Sequence, residues 1–447
     1  MKLLSFICAA LLFSLTTGCS QQEHEPKLLQ QTEASDQKVN ELKVIEKNVE
    51  LEQVVSHYAD IALASYQDSL ASAKLLQTSL QVLVEAPTQA NLKQARNAWK
   101  AARVPYMQTE VFRFGNSIVD DWEGKVNAWP LDEGLIDYVA TSYGGESEDN
   151  PFYTANVIAK DTIVLSGNEI STHVITKELL SDTLHEVDGV EANVATGYHA
   201  VEFLLWGQDL NGTKAGAGNR PASDFDVKNC TGGRCDKRNQ FLLVSTELLI
   251  DDLAWMVDQW KINGAARQSL LNNTSDAITS IFTGMGSLSY GELAGERVKL
   301  GVLLHDPEEE HDCFSDNTHN SHFYDVKGIA NVYSGEYKKI NGELVSGPSI
   351  SDLVKKQSTS VDTDIVNTIN ASLSAAQVLV DSAEKQGVAY DQLLAEGNTQ
   401  GNAKIMALVN ALLEQTKAIE AGVASVGLNS VEFEGSDSLD DQDAVFQ

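Results

Sequence analysis

The stretch Gly197-Tyr198-His199-Ala200-Val201-Glu202-Phe203-Leu204-Leu205-Trp206-Gly207 carries the strongest chemical signal in the sequence. On a helix, residues three apart are neighbours, so His199 and Glu202 share a face. An imidazole and a carboxylate one turn apart can give two ligands to one metal ion. Helical-bundle iron proteins pair the same residue types, in the order Glu then His. Trp206 lies on the same stripe, which sets the pair among apolar side chains, where a carboxylate is costly unless something pairs with it. A plain Glu–His hydrogen bond in a packing seam fits the same pattern. A zinc peptidase of the usual kind needs a second His one turn on, and residue 203 is Phe.

Three further segments hold donors. Glu110, in Glu110-Val111-Phe112-Arg113-Phe114, is either half of a surface pair with Arg113 or a carboxylate turned towards the pocket of His199. Pro130-Leu131-Asp132-Glu133 reads as a helix start with acidic residues in its first turn, so capping competes with ligation there. The loop from His305 to His319, through Glu308-Glu309-Glu310-His311-Asp312-Cys313, is dense in imidazole and carboxylate. A solvated acidic loop has the same composition. Cys230-Thr231-Gly232-Gly233-Arg234-Cys235 reads as a small disulfide-closed loop of an oxidising compartment; a zinc half-site would lack its second Cys pair. Cys313 is left over and is expected to be a buried thiol.

The elements that must position these groups read as helices. The whole sequence has 8 prolines, and residues 51–85 show apolar spacing of helical period. Pro87 breaks that helix, Thr88 can cap the next, and Pro105 should kink it on its way towards Phe114. Helices are also expected at about 174–186, 190–207, 237–262, 265–283, 288–304, 361–385 and 401–424. Short hairpin strands fit 161–165 and 337–344. The fold class is all-α. Similar helix pairs at 51–115 and 361–424, with Ser69-Leu70-Ala71-Ser72-Ala73 echoing Ser372-Leu373-Ser374-Ala375-Ala376, suggest an internal duplication into two related bundles.

The chain ends carry other messages. Lys2, an apolar run from Leu3 to Leu15 and Thr16-Thr17-Gly18-Cys19 form a secretory leader, residues 1–18, whose Gly-Cys end resembles a lipobox with Cys19 as lipidation site. That run is shorter than the roughly 20 residues of a membrane span. Residues 19–48 read as a polar, flexible tether, 49–235 and 236–430 as the two bundles, and 431–447 as a frayed acidic tail. A net charge of −32 argues against nucleic acid and against adsorption to anionic membranes other than through the lipid. The expected location is the periplasmic side of the envelope, as an outer-membrane lipoprotein.

Taken together, the Gly197-x-His199-x-x-Glu202 motif with its Phe-Leu-Leu-Trp-Gly continuation, Trp129-Pro130-Leu131-Asp132-Glu133, the Glu110-Val-Phe-Arg-Phe run and Cys313-Phe-Ser-Asp-Asn-Thr-His319 resemble the imelysin family over roughly residues 50–425. The resemblance implies two related helical bundles with a pocket between them, attachment to the cell envelope and a link to iron or haem acquisition. It marks His199 and Glu202 as ligands, Glu110 and Asp132 as further carboxylates, and Arg103, Trp129, Arg297, Asp316 and His319 as pocket residues.

Three functions follow from these readings. The first is an envelope-anchored binding protein for iron, or an iron-containing small ligand, that serves uptake as part of a transport system; zinc could compete for such a site. The second is a metallopeptidase that uses the His-x-x-Glu motif. The third is a binder of haem, peptide or glycan in which His199–Glu202 is structural.

Overall fold

The computed structural model describes residues 27–147, 149–165, 167–429 and 431–446, with side chains from Asn48 onward. The expected leader and the expected lipidation site Cys19 lie outside the described residues. The architecture is all-α. The only strands among the described residues form two antiparallel hairpins, Thr162–Leu165 with Asn168–Ser171 and Glu336–Lys338 with Leu344–Ser346. No helix of the described residues is long and apolar enough to cross a membrane.

Helix α1 runs Lys27–Glu85. The tether expected at 19–48 is therefore helical from Lys27 on, because Gln, Glu, Lys and Leu are strong helix formers even without an apolar face. Residues 50–447 form one compact unit. α2, Gln89–Met107, is capped by Thr88, whose side chain accepts from Asn91 N. It stops short of the expected Phe114: Pro105 withholds a backbone donor from the last turn, and the chain continues as a 3₁₀ turn, Glu110–Phe112. Next come α3, Ser117–Asn127, and α4, Glu133–Ile136. The following helices are α5, Gly197–Trp206, and α6, Cys235–Trp260. α5 and α6 pack on each other and on α3, so α6 sides with elements of the first half rather than the second.

Helices α7, Ala265–Leu271, and α8, Thr274–Ser287, divide at Asn272-Asn273, where the Asn273 side chain accepts from Asp276 N and starts a new helix. α8 runs into a π-helix, Leu288–Lys299, and then α9, Leu300–Leu304. α10, Thr318–Ser334, packs on α2. α11, Ile350–Gln357, α12, Thr359–Gln386, α13, Tyr390–Leu394, and α14, Thr399–Ser425, complete the body; α12 and α14 pair, and α14 also packs on the π-helix.

The acidic tail is docked, not frayed. Glycines let it approach: a Cβ at Gly286 would lie 2.2 Å from the Phe433 ring, and one at Gly291 2.4 Å from Glu434 O. The Ser438 hydroxyl then donates to Gly295 O at 3.0 Å. Cys230 and Cys235 are joined as a disulfide, and Cys313 is a free, half-buried thiol rather than a fully buried one.

Candidate metal centre

α5 is seated so deeply that all of its residues are buried. Its first residue explains the glycine of the motif. Gly197 has φ +76°, and a Cβ there would meet Val126 O at 2.4 Å, so only glycine lets α5 start against the end of α3. Trp99 Nε1 of α2 donates to Tyr198 O at 2.9 Å and pins the same turn from the other side. The loop before α10 closes over α5: Ser315 N donates to Glu202 Oε1 at 3.0 Å, and Lys100 Nζ to Ser315 O at 2.9 Å.

His199 Nδ1 and Glu202 Oε2 are 2.9 Å apart. His199 Nε2 is buried and has no hydrogen-bond partner. Across from it stands His311, with ring centroids 4.9 Å apart, followed by Asp312. Ligand atoms of His199, His311 and Asp312 all lie within 4.8 Å of one another, the one such group of three among the described residues. None of the three is more than 2% exposed.

The surroundings orient this set. Arg103 Nη2 donates to Asp312 Oδ1 at 2.8 Å and lies 3.2 Å from His311 Nδ1, while its Nη1 donates to Asn127 Oδ1 at 2.5 Å. Ser321 Oγ and Asn317 Nδ2 donate to Asp312 Oδ2 at 2.6 and 2.9 Å. Trp129 stands edge-on to His311 at 6.0 Å.

Burial, then the nearby Arg103 charge, pushes the His199 imidazole down to about 3. Burial and then Arg297 hold His311 well below its usual value. Both rings are therefore neutral at neutral pH, as metal ligands must be. Burial pushes the Asp312 carboxyl up, but Arg103 and His199 more than offset this and hold it at about 2, ionised. Burial and the Asp312 charge raise Glu202 well above the carboxylate range. A cation at His199 Nε2 would favour an ionised Glu202, which then accepts the Nδ1 proton and fixes the ligating tautomer. Two neutral imidazoles and one ionised carboxylate thus fit a transition metal. The Arg103 guanidinium opposes it, since His311 can ligate through Nδ1 only by giving up that contact.

Of the residues expected at the site, His199, Glu202, Arg103 and Trp129 are brought together, and Arg297 lines one cavity with Trp129 and His311. Glu110 is not among them. It is buried against Arg297, whose Nη2 donates to Glu110 Oε2 at 2.7 Å, and which also pairs with Glu292 at 2.6 Å and Asp325 at 3.2 Å. The expectation that Glu110 turns towards His199 fails because α2 ends at Met107 and the 3₁₀ turn aims the carboxylate at the π-helix and α10. Arg297 therefore neutralises a second acidic cluster. Asp132 is half-buried and accepts from Asn150 Nδ2 at 2.5 Å, outside the three-donor group. Asp316 is pushed up to about 7 by burial and by Asp391, His319 is lowered to about 4 by burial and Lys100, and neither belongs to the three-donor group.

His311, Asp312 and the residues that orient them (Asn127, Asn317 and Ser321) were not singled out from the sequence. The one signal for His311 and Asp312 was the density of His and carboxylate between His305 and His319.

The profile of the family described as Imelysin matches residues 62–419. An iron-regulated protein A from Synechococcus elongatus is 34% identical over 99 residues, which is 22% of this chain and 28% of that relative's length. A crystal structure from Parabacteroides distasonis, described as an iron-regulated protein A precursor, superposes with a TM-score of 0.60 at 17% identity, covering 84% of this chain and 95% of the other. An imelysin-like protein from Psychrobacter arcticum gives a TM-score of 0.59 at 13% identity, covering 86% and 97%. These two likenesses show the fold, and the profile match over most of the chain shows the family: the chain belongs to the imelysin family.

Proposed function

We propose that this chain is an envelope-anchored binding protein that holds iron, or a ligand containing it, at His199, His311 and Asp312 and takes part in iron uptake. The observation that carries this reading is the group of three buried donors within 4.8 Å, with His199 Nε2 lacking any partner. Two imidazoles and a carboxylate are a donor set suited to Fe(II), and Zn(II) would compete for it. The name iron-regulated protein A, borne by one partial relative, points the same way. Anchoring rests on the leader and Cys19 of the sequence.

The residues would hold the ion by three protein ligands, with Glu202 orienting His199 and with Ser321 and Asn317 orienting Asp312. Peptidase action has less support, because the three donors are no more than 2% exposed whereas a peptide carbonyl must reach the metal. The test is an Fe(II) titration of the full chain beside His199→Ala and His311→Ala. Saturable binding lost in both variants supports the reading; equal binding by all three proteins refutes it.

A further inference from the structure

At the far end of α5 a cavity of about 300 Å³ opens to solvent, lined among others by Tyr138, Trp206, Gly207, Leu210, Asn219 and Arg220. Arg220 is 3% exposed. Its guanidinium is held from three sides: Nη1 donates to Asp137 Oδ2 at 2.7 Å and Asp224 Oδ2 at 3.3 Å, and the plane lies over the Tyr138 and Phe203 rings at 4.8 and 5.4 Å. Both hydrogen bonds use one nitrogen. The other edge, Nε and Nη2, is buried and has no hydrogen-bond partner.

That edge is the side-on fork with which arginine binds two oxygens of one anion, and burying it unpaired is costly. Gly207 faces this edge without a side chain: a Cβ at that position would stand in ordinary contact with it, 3.6 Å from Nε and 3.8 Å from Nη2. The local charge also suits an anion in a protein of strongly acidic composition. Arg96, which donates to Arg220 O and Leu205 O, has no ion-pair partner among the described residues, and Arg238 shares Asp137 with Arg220. Arg220 and Arg238 thus share the carboxylates of Asp137 and Asp224, and the Arg96 charge beside them is not matched by an ion pair among the described residues. The carbonyls at the end of α5, which would repel an anion, are already taken: Arg96 binds Leu205 O, and Arg220 N binds Trp206 O.

We propose that this cavity is a binding site for a small organic carboxylate, seated on the Nε–Nη2 edge of Arg220 with its carbon skeleton against Trp206, Tyr138 and Leu210. The apolar and aromatic wall favours a carboxylate on carbon over a bare inorganic oxyanion. Nothing in the argument depends on the metal centre near His199.

The test is equilibrium dialysis of the full chain with radiolabelled succinate at constant ionic strength, with inorganic phosphate and chloride as competitors. Wild type and His199→Ala should bind one succinate saturably. Arg220→Lys, which keeps the charge but loses the fork, should bind at least about tenfold more weakly. Because Arg220 is also part of the fold, Leu210→Trp serves as a second variant. Leu210 is 68% exposed at the rim, so the change should block entry and abolish binding with the helical circular-dichroism signal intact. No succinate binding by wild type, equal binding by both cavity variants, or displacement of succinate by phosphate at lower concentration than by unlabelled succinate would each overturn the proposal.

Discussion

Replacing Asp137 by Asn should cost this protein a large share of its stability. Asp137 follows α4 and is 2% exposed, yet it accepts from Arg220 Nη1 at 2.7 Å, Arg238 Nε at 2.6 Å and Arg238 Nη2 at 3.0 Å. It ties the segment after α4 to the turn at Arg220 and to α6. Asn keeps the shape but removes the charge, and its amide would point donor hydrogens at donors. Two buried guanidinium groups would then share Asp224 alone. Breaking one side of a buried ion pair costs about 3–5 kcal/mol, and the remaining Asp224 argues for the lower end. Against a total stability of about 5–15 kcal/mol this is a major loss. With a urea dependence of about 3 kcal/mol per molar, the midpoint should fall by about 1 M.

The pH dependence has a definite sign. Burial pushes Asp137 up, but the Arg220 charge and the Arg238 hydrogen bonds more than offset this and hold it below the usual carboxylate range. A carboxyl lowered by folding stabilises the fold above its ordinary value, near about 3.9, and loses that contribution as pH falls towards its lowered one. The gap between wild type and Asp137→Asn should therefore be constant from pH 8 to 5 and narrow below about pH 4. Urea denaturation followed by circular dichroism across this range measures both effects. A midpoint shift under about 0.3 M at pH 7, or a gap that widens in acid, would refute the reasoning.

Two further predictions concern the elements that hold the site. Gly197→Ala should destabilise by about 2–4 kcal/mol, from a positive φ and a contact with Val126 O at 2.4 Å; a urea midpoint equal to wild type would contradict the tight entry of α5 against α3. Glu123 is raised to about 7 by burial and then by the Glu110 charge. Removing that charge with Glu110→Gln should lower the Glu123 titration, read by carbon NMR of the carboxyl, and an unmoved curve would mean that Glu110 is not the neighbour that matters.

The regular parts of this fold are legible in the sequence because their apolar spacing is regular. The pairs Thr359–Gln386 and Thr399–Ser425 fall within two residues of the expected 361–385 and 401–424. The hairpins also overlap the expected 161–165 and 337–344. What escaped was set by long-range packing. α10 escaped because its Thr-His-Asn-Ser-His opening reads as polar loop, yet Ser321 and His322 are buried, with His322 edge-on to the distant Tyr390 ring at 5.1 Å.

The same holds for the site. His199 and Glu202 were visible because one helical turn relates them. His311 and Asp312 meet them only because Arg103, Asn127, Asn317 and Ser321 fold a loop 110 residues further on over α5. Glu110 reads in the sequence as a further carboxylate behind His199 and Glu202, and Arg297, 187 residues away, takes it instead.

The central claim is most directly tested by growing crystals of the protein with Fe(II) and collecting diffraction data at the iron absorption edge. The account predicts one strong anomalous peak at bonding distance from His199 Nε2, a His311 nitrogen and an Asp312 oxygen, with Glu202 still on His199 Nδ1 and Arg103 withdrawn from His311. A peak at the carboxylates around Arg297 instead, or saturating iron with no peak near His199, would contradict it.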